Sequence, residues 1–254
     1  MKESNNWNAN EYNKNADFVS KLAFPVIELL NPQKNEKILD LGCGEGSLAQ
    51  EIQKYKTKVI GVDLSADMVA KAKDKGIESY IMSATHLNFE EEFDAVFSNA
   101  MLHWVKDAPL AITEVNKVLK KEGRFVAEFG GYGNILALRK AMSVVFKRHK
   151  EYGEFTDPWF FPTKEIYQEL LEKNGFNVQQ IELIKRPTPV ADIKEWLNIF
   201  ANGIMKNVPK NSKKSFKNEV EELLKPELYT QENGWVVDYV RVRFSAIKSS
   251  CLPK

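Results

Sequence analysis

The sequence predicts an α/β protein with a seven-stranded, mostly parallel sheet, helices on both faces and an antiparallel last strand. Three observations carry this. Four short apolar runs, ending at Leu41, Asp63, Met82 and Asn99, are separated by helical patterns, and a fifth, Arg124–Phe129, follows another helix. Strands joined through such crossovers lie parallel. The first run also ends in glycines spaced two apart, Gly42, Gly44 and Gly46, and the second in Asp63, so polar features gather at strand carboxyl ends, where open α/β sheets bind ligands.

In chain order, Ala16, Val19, Leu22, Ala23, Val26, Ile27 and Leu30 recur at helical spacing, with Pro25 as a kink or a new start. Ile38, Leu39 and Leu41 make the first strand, and Leu48 and Ile52 continue past the glycines as a helix. Lys58–Asp63 is the second strand. Ser65 is placed to cap a helix through Met68, Val69 and Ala72 that stops near Gly76. Strands three and four follow at Ser79–Met82 and Asp94–Asn99. A helix carrying Leu110, Ile112, Val115, Val118 and Leu119 is expected to end in Lys120-Lys-Glu-Gly123, where cations and glycine suit a helix C-terminus.

Beyond strand five come a helix over Leu136–His149, the aromatic run Pro158-Trp-Phe-Phe-Pro162, and a helix from Thr163 to Asn174-Gly175. Phe176–Lys185 alternates as strand six, and Trp235–Phe244 as strand seven, an antiparallel edge partner. Between them Val190–Tyr229 is an insertion with helical patterns around Trp196, Leu197 and Phe200 and around Phe216, Val220 and Leu223. Lying over strand ends, it makes a lid.

The glycine turn defines the chemistry. Without Cβ atoms the chain can take left-handed dihedrals and let a ligand lie on bare backbone, while the helix start offers N–H groups to an anion. A dinucleotide fingerprint needs Gly or Ala at 47, where Ser47 stands, and the Lys-Ser/Thr pair of a phosphate loop is missing. The spacing therefore excludes both.

At 254 residues with 43% hydrophobic content, the chain can bury a full core. Lys+Arg of 36 against Asp+Glu of 35 leaves a net charge of +1, with no overall electrostatic case for nucleic acid or an anionic membrane. The Lys-rich piece Lys206–Lys217 reads as solvated surface. Cys43 and Cys251 form neither a disulfide framework nor a metal cluster. Met1–Trp7 carries no apolar signal core, and no apolar run nears the roughly 18 residues that span a bilayer. A cytoplasmic protein without metal or membrane is expected.

The run Asp40-Leu-Gly-Cys-Gly-Glu-Gly46, followed by Asp63 at the next strand end, resembles the first motif and the ribose-binding acid of class I S-adenosylmethionine-dependent methyltransferases. This implies a Rossmann-like fold, S-adenosyl-L-methionine as methyl donor and S-adenosyl-L-homocysteine as product. It places Asp40, Gly42, Cys43, Gly44 and Gly46 at the donor's methionine end, with the methionine carboxylate as the anion for the turn. Asp63 falls on the ribose, and Leu64 and Met68 on the adenine. Ser83, Ala84 and Thr85 stand where relatives contact the adenine amino group, usually through an acidic residue. Ser83 departs from that, and a hydroxyl accepts more weakly than a carboxylate. Asn99, Ala100 and His103 line the turn beneath the methyl; it is not the Asn-Pro-Pro-Tyr of enzymes that methylate amino groups of DNA bases and planar amides. Early aromatic residues close the donor site in relatives, which nominates Trp7, Tyr12 and Phe18. The resemblance implies a single domain with a helical cap at 1–30, a cofactor-binding core at 31–135 and a helical lid at 190–230.

The early Trp-Asn-Ala, Ser98–Trp104, Phe129–Asn134 and Pro158–Pro162 together are similar to the trans-aconitate methyltransferase group, over about the first two-thirds of the chain. That implies a small-molecule acceptor, no nucleic acid, and a monomer or homodimer. Members methylate a carboxylate, which is ionised at neutral pH and needs no base. A hydroxyl would need one, with His103 first and His149 and Glu128 behind it. Tyr12, Trp104, Tyr132 and Trp159 offer aromatic faces to the sulfonium. Arg139, Arg148 and Arg186 are candidates to clamp a carboxylate in two places. A hydroxyl, amine or carbon acceptor, or a donor-binding protein without turnover, are the alternatives.

Overall fold

The computed structural model describes residues 24–250. Its strands are β1 Lys37–Leu41, β2 Lys58–Asp63, β3 Glu78–Ile81, β4 Phe93–Asn99, β5 Leu119–Gly130, β6 Phe176–Val190, β7 Tyr229–Thr230 and β8 Gly234–Lys248. The helices are α1 (residues 24–30), α2 Ser47–Gln53, α3 Ala66–Asp74, α4 Ala108–Val118, α5 Leu136–Arg148, α6 Lys164–Lys173, α7 Ile193–Phe200 and α8 Lys213–Leu228. One sheet runs β3-β2-β1-β4-β5-β8-β6, with short β7 on β8. β1 to β5 are parallel, and β8 is antiparallel to both its neighbours. The Rossmann-like α/β sheet with its antiparallel last strand is therefore what forms.

Three details differ from the sequence expectation. β8 is not an edge strand but lies between β5 and β6, which leaves β6 at the edge. Its alternation reflects two buried faces, with Val242 and Phe244 on one and Trp235 and Val237 on the other. β6 does not stop at Lys185; it stays paired as far as Val190↔Trp235, because an edge strand tolerates Pro187 and Pro189. Finally, α4 ends at Val118, and Leu119 turns extended to pair with Phe93. Lys120–Gly123 belongs to β5, so strand pairing overrides local C-terminal signals.

The core has three parts. Leu39, Val96, Phe125 and Phe244 pack with α4 and α6, while Ile38, Phe97 and Val126 pack with α1 and α2. A third cluster joins Leu138, Met142 and Phe146 of α5 to Trp159, Trp196, Phe216, Val220, Trp235 and Val237. This cluster stands at the carboxyl edge of the sheet. β5 stops at Gly130, opposite Arg241, while β6 and β8 run on as a paired arm to Trp235. Six further residues extend it by about 20 Å. The insertion thus shares one lobe with α5 and the aromatic run. At its base the buried Glu128 accepts hydrogen bonds from Arg186 and Arg243.

No helix among the described residues is long and apolar enough to cross a membrane.

Candidate active site

Gly42, Gly44 and Gly46 all take left-handed dihedrals, with φ of 81°, 53° and 86°. Gly42 has a second reason to lack a Cβ, because one there would lie 2.3 Å from Cγ of Met101. Around Gly44 nothing lies within 4 Å, so that glycine faces open space. The amides of Gly42 and Cys43 both donate to Val62 O, at 2.8 and 3.0 Å, and Gly44 N–H donates to Asp63 Oδ2 at 3.0 Å. β2 therefore satisfies the amides of Gly42, Cys43 and Gly44. Asp63 Oδ1 accepts from Ser65 N–H at 2.8 Å, so the carboxylate is fixed by two backbone donors.

Asp40 is 2% exposed, and its Oδ2 has no hydrogen-bond partner. Burial, then the charge of Asp63, pushes its carboxyl up to about 7. Burial also raises Asp63, against the backbone hydrogen bonds that lower it. Two carboxyls in one cleft make it a place for cations. Glu45, also buried, is neutralised by Lys75.

Leu64 is 67% exposed beside Asp63, and Ile81, paired with Asp63 across the strands, is 61% exposed. They form an apolar lip that the sequence reading found only in part. Met68, by contrast, is buried at the start of α3. Ser83 Oγ is engaged locally, with Thr85 Oγ1 at 2.8 Å and Thr85 N–H at 3.2 Å, and Ala84 is buried.

On the other side of the turn, Asn99 ends β4 and Ala100 takes φ of 57°, its N–H donating to Glu128 O at 2.7 Å. The short 3-10 turn Leu102–Trp104 then presents His103. Its Nδ1 accepts from Gly130 N–H at 3.2 Å, which assigns the ring proton to Nε2. Burial, then the charge of Arg241, depresses its pKa to about 3, so the imidazole is neutral. Its ring centroid lies 5.4 Å from that of Trp104 and 5.7 Å from that of Phe161, and Phe161 stacks on Trp159. The aromatic run is strapped there by Phe160 N–H to His103 O and by Lys106 Nζ to the carbonyls of Asp157 and Trp159.

The arginine candidates fare differently. Arg139 pairs with Asp157 and lies over the Phe161 ring. Arg186 is held by Glu128. Arg148 is exposed at the far end of α5, about 20 Å along the helix from its start. His149 is there too, between Glu219 and Glu151, away from the cleft. Tyr132 is exposed on the loop after β5. Trp7, Tyr12 and Phe18 lie outside the described residues. Arg241, Asn134 and Phe161 were missed: Asn134 Oδ1 accepts from Arg241 Nη1 at 2.9 Å. The antiparallel register that sets Arg241 opposite Gly130 left no mark in the local sequence.

A methyltransferase-domain family profile matches residues 39–127, which include the glycine turn, Asp63 and the His103 turn. An uncharacterized methyltransferase of Schizosaccharomyces pombe is 34% identical, over 95% of this chain and 98% of its own. The chain belongs to the class I S-adenosylmethionine-dependent methyltransferases. A malonyl-[acyl-carrier protein] O-methyltransferase of Hamiltonella defensa is 26% identical over 54% of each chain. A crystal structure of a putative methyltransferase from Bacillus halodurans shares the fold, with a TM-score of 0.63 at 18% identity, covering 91% of this chain and 99% of that one.

The cleft of this methyltransferase fits its donor. S-adenosylmethionine is cationic at its sulfonium and its ammonium, and the orphaned Oδ2 of Asp40 is a buried acceptor suited to such a charge. Asp63 retains lone pairs for a ribose diol. In Gly44→Ala the new methyl meets no protein atom, so the chain is expected to fold at a cost of about 1 kcal/mol while S-adenosylhomocysteine binding weakens at least ten-fold. Gly42→Ala must displace Met101 and should lose thermal stability first. Calorimetric melting and binding on both variants check the contrast; equal losses in the two would contradict it.

Proposed function

We propose that this methyltransferase O-methylates a carboxylate of a small organic acid. The observation that carries the reading is a transfer floor without a base among the described residues. His103 is neutral and uses Nδ1 as an acceptor; Glu128 is committed to two guanidinium groups, and His149 stands at the far end of α5. A hydroxyl or ammonium acceptor must lose a proton, whereas a carboxylate has none to lose. S-adenosylmethionine supplies an electrophilic methyl group: a C–O bond forms as the C–S bond breaks, the electron pair stays on sulfur, and no proton moves. The chain's part is to align the acceptor and exclude water. Trp104, Trp159 and Phe161 supply the apolar walls for that.

The malonyl-[acyl-carrier protein] O-methyltransferase relative supports an oxygen acceptor, and the resemblance of the sequence motifs to the trans-aconitate group supports a small acid. On this reading 31–135 is the cofactor-binding core and 190–230 the helical lid; of the cap expected at 1–30, residues 1–23 lie outside the described residues. The protein works in the cytoplasm, as a monomer or homodimer, without nucleic acid.

The test is transfer of labelled methyl into a small-metabolite extract, followed by mild alkali. Volatile labelled methanol is the expected result, since an ester hydrolyses. Alkali-stable label would mean an ether, amine or carbon product and would overturn the reading.

A further inference from the structure

Asp40 is the buried carboxyl of the cleft that the fold leaves unanswered. It lies on β1 just before the glycine turn, 2% exposed, and its Oδ2 has no hydrogen-bond partner. Among the described residues the charge that acts on it is that of Asp63, which repels. Two carboxyls that share a site out of water do not both ionise. The backbone decides between them. Asp63 accepts from Gly44 N–H at 3.0 Å and from Ser65 N–H at 2.8 Å, and such donors favour the charged form, so the charge falls on Asp63 and the proton on Asp40. The other titratable groups around the pair do not alter this. Cys43 is kept a thiol by burial and by both carboxylates, Glu45 is neutralised by Lys75, and His103 is neutral because burial and Arg241 depress it to about 3. On β4 the residue opposite Asp40 is Phe97.

We propose that donor binding and the ionisation of Asp40 are one coupled step. The free protein holds a proton on the Asp40 carboxyl; Asp40 gives it up to solvent as the cationic donor enters, and the carboxylate so formed faces the donor's positive charge. The O–H bond breaks, its electron pair stays on oxygen, and the proton leaves to water or a buffer base. S-adenosylmethionine suits the exchange, being cationic at its sulfonium and its ammonium, whereas an anion brought to Oδ2 would also meet the field of Asp63. Departure of the product returns the proton. The coupling needs only a cationic donor and holds whichever acceptor is used.

The experiment is calorimetric titration with S-adenosylmethionine in the absence of acceptor, at pH 6 and pH 8, in pairs of buffers that differ in ionisation enthalpy. S-adenosylhomocysteine is run beside it. The slope of binding heat against buffer enthalpy counts the protons released. Subtracting Asp40→Asn removes what the ligand's ammonium and distant groups such as His149 contribute. With the carboxyl at about 7 in the free protein, the difference should be about 0.9 proton per site at pH 6 and about 0.1 at pH 8. Relative to Asp40→Asn, wild-type affinity should fall about ten-fold from pH 8 to pH 6. For a variant too weak for calorimetry, the melting shift at high donor concentration gives the same ratio. The wild-type count at pH 6 stands without the variant, since the ligand's ammonium is already charged there.

Binding without proton release at pH 6 would overturn the coupling, as would an equal release in Asp40→Asn. Release with both ligands supports it and assigns their shared ammonium as the charge that Asp40 answers; release with S-adenosylmethionine alone supports it and assigns the sulfonium. Absence of binding to the wild type would reject the donor site and the coupling with it. The ester assay follows the acceptor, so its failure leaves the coupling untouched.

Discussion

Asp63→Ala should weaken S-adenosylhomocysteine binding by about a hundred-fold or more while leaving the sheet intact. The carboxylate is the one polar side chain at the end of β2, and both its oxygens already accept from the backbone, Oδ2 from Gly44 and Oδ1 from Ser65. Those two bonds fix its orientation, so a ribose diol meets acceptors that need no further ordering. Hydrogen bonds to a charged group contribute roughly 1.5–3 kcal/mol each, so losing two removes at least about 3 kcal/mol. Alanine also frees the amide of Gly44 and lets the glycine turn relax. Asp63→Asn keeps the shape and one acceptor and should lie between the two. Titration calorimetry checks the order, and unchanged binding in Asp63→Ala would reject the site altogether.

Asp40→Asn should raise the thermal stability of the ligand-free protein at pH 8 and leave it nearly unchanged at pH 4. The sign follows from linkage. Burial lifts the Asp40 carboxyl from 3.8 to about 7, so between those values the folded chain holds a proton that the unfolded chain has released. Stability is present at acid pH and is lost as pH rises toward about 7. Asparagine has no proton to lose. The gain at pH 8 is on the order of 2–4 kcal/mol, or roughly 5–10 °C in a chain of this size. The same substitution removes the acceptor for a cationic ligand, so donor affinity should fall as stability rises. A stability gain of equal size at both pH values would show that the carboxyl is not the source.

That opposition has a physical meaning. A buried, unpaired carboxyl is a liability in the free protein and an asset only when a cation arrives, so the cleft is less stable than it would be if built for folding alone.

The donor half of the site was legible from sequence because its parts are local. Gly42, Gly44 and Gly46 sit in one turn, and Asp63 ends the next strand; the register Asp40↔Gly61 and Leu41↔Val62 then brings them together with no long-range information. The acceptor half was not. Arg139, Arg148 and Arg186 were nominated because they follow strands five and six, yet Asp157 and Glu128 take the first and third, and helix length carries the second away. The charge of Arg241 acts on His103 only because β8 inserts beside β5, and Phe161 lies near its ring only because its strap docks on the His103 turn.

The sequence by itself determined the order of strands and helices, the glycine dihedrals and the identity of the donor, since each depends on side chains within a few positions of one another. Tertiary structure alone decided where the last strand pairs, which guanidinium acts on His103, and which ring nitrogen carries the proton. The first two depend on partners more than a hundred residues apart, such as Gly130 and Arg241, and the third on Gly130, 27 residues from His103; no local pattern encodes a contact that only a finished sheet creates.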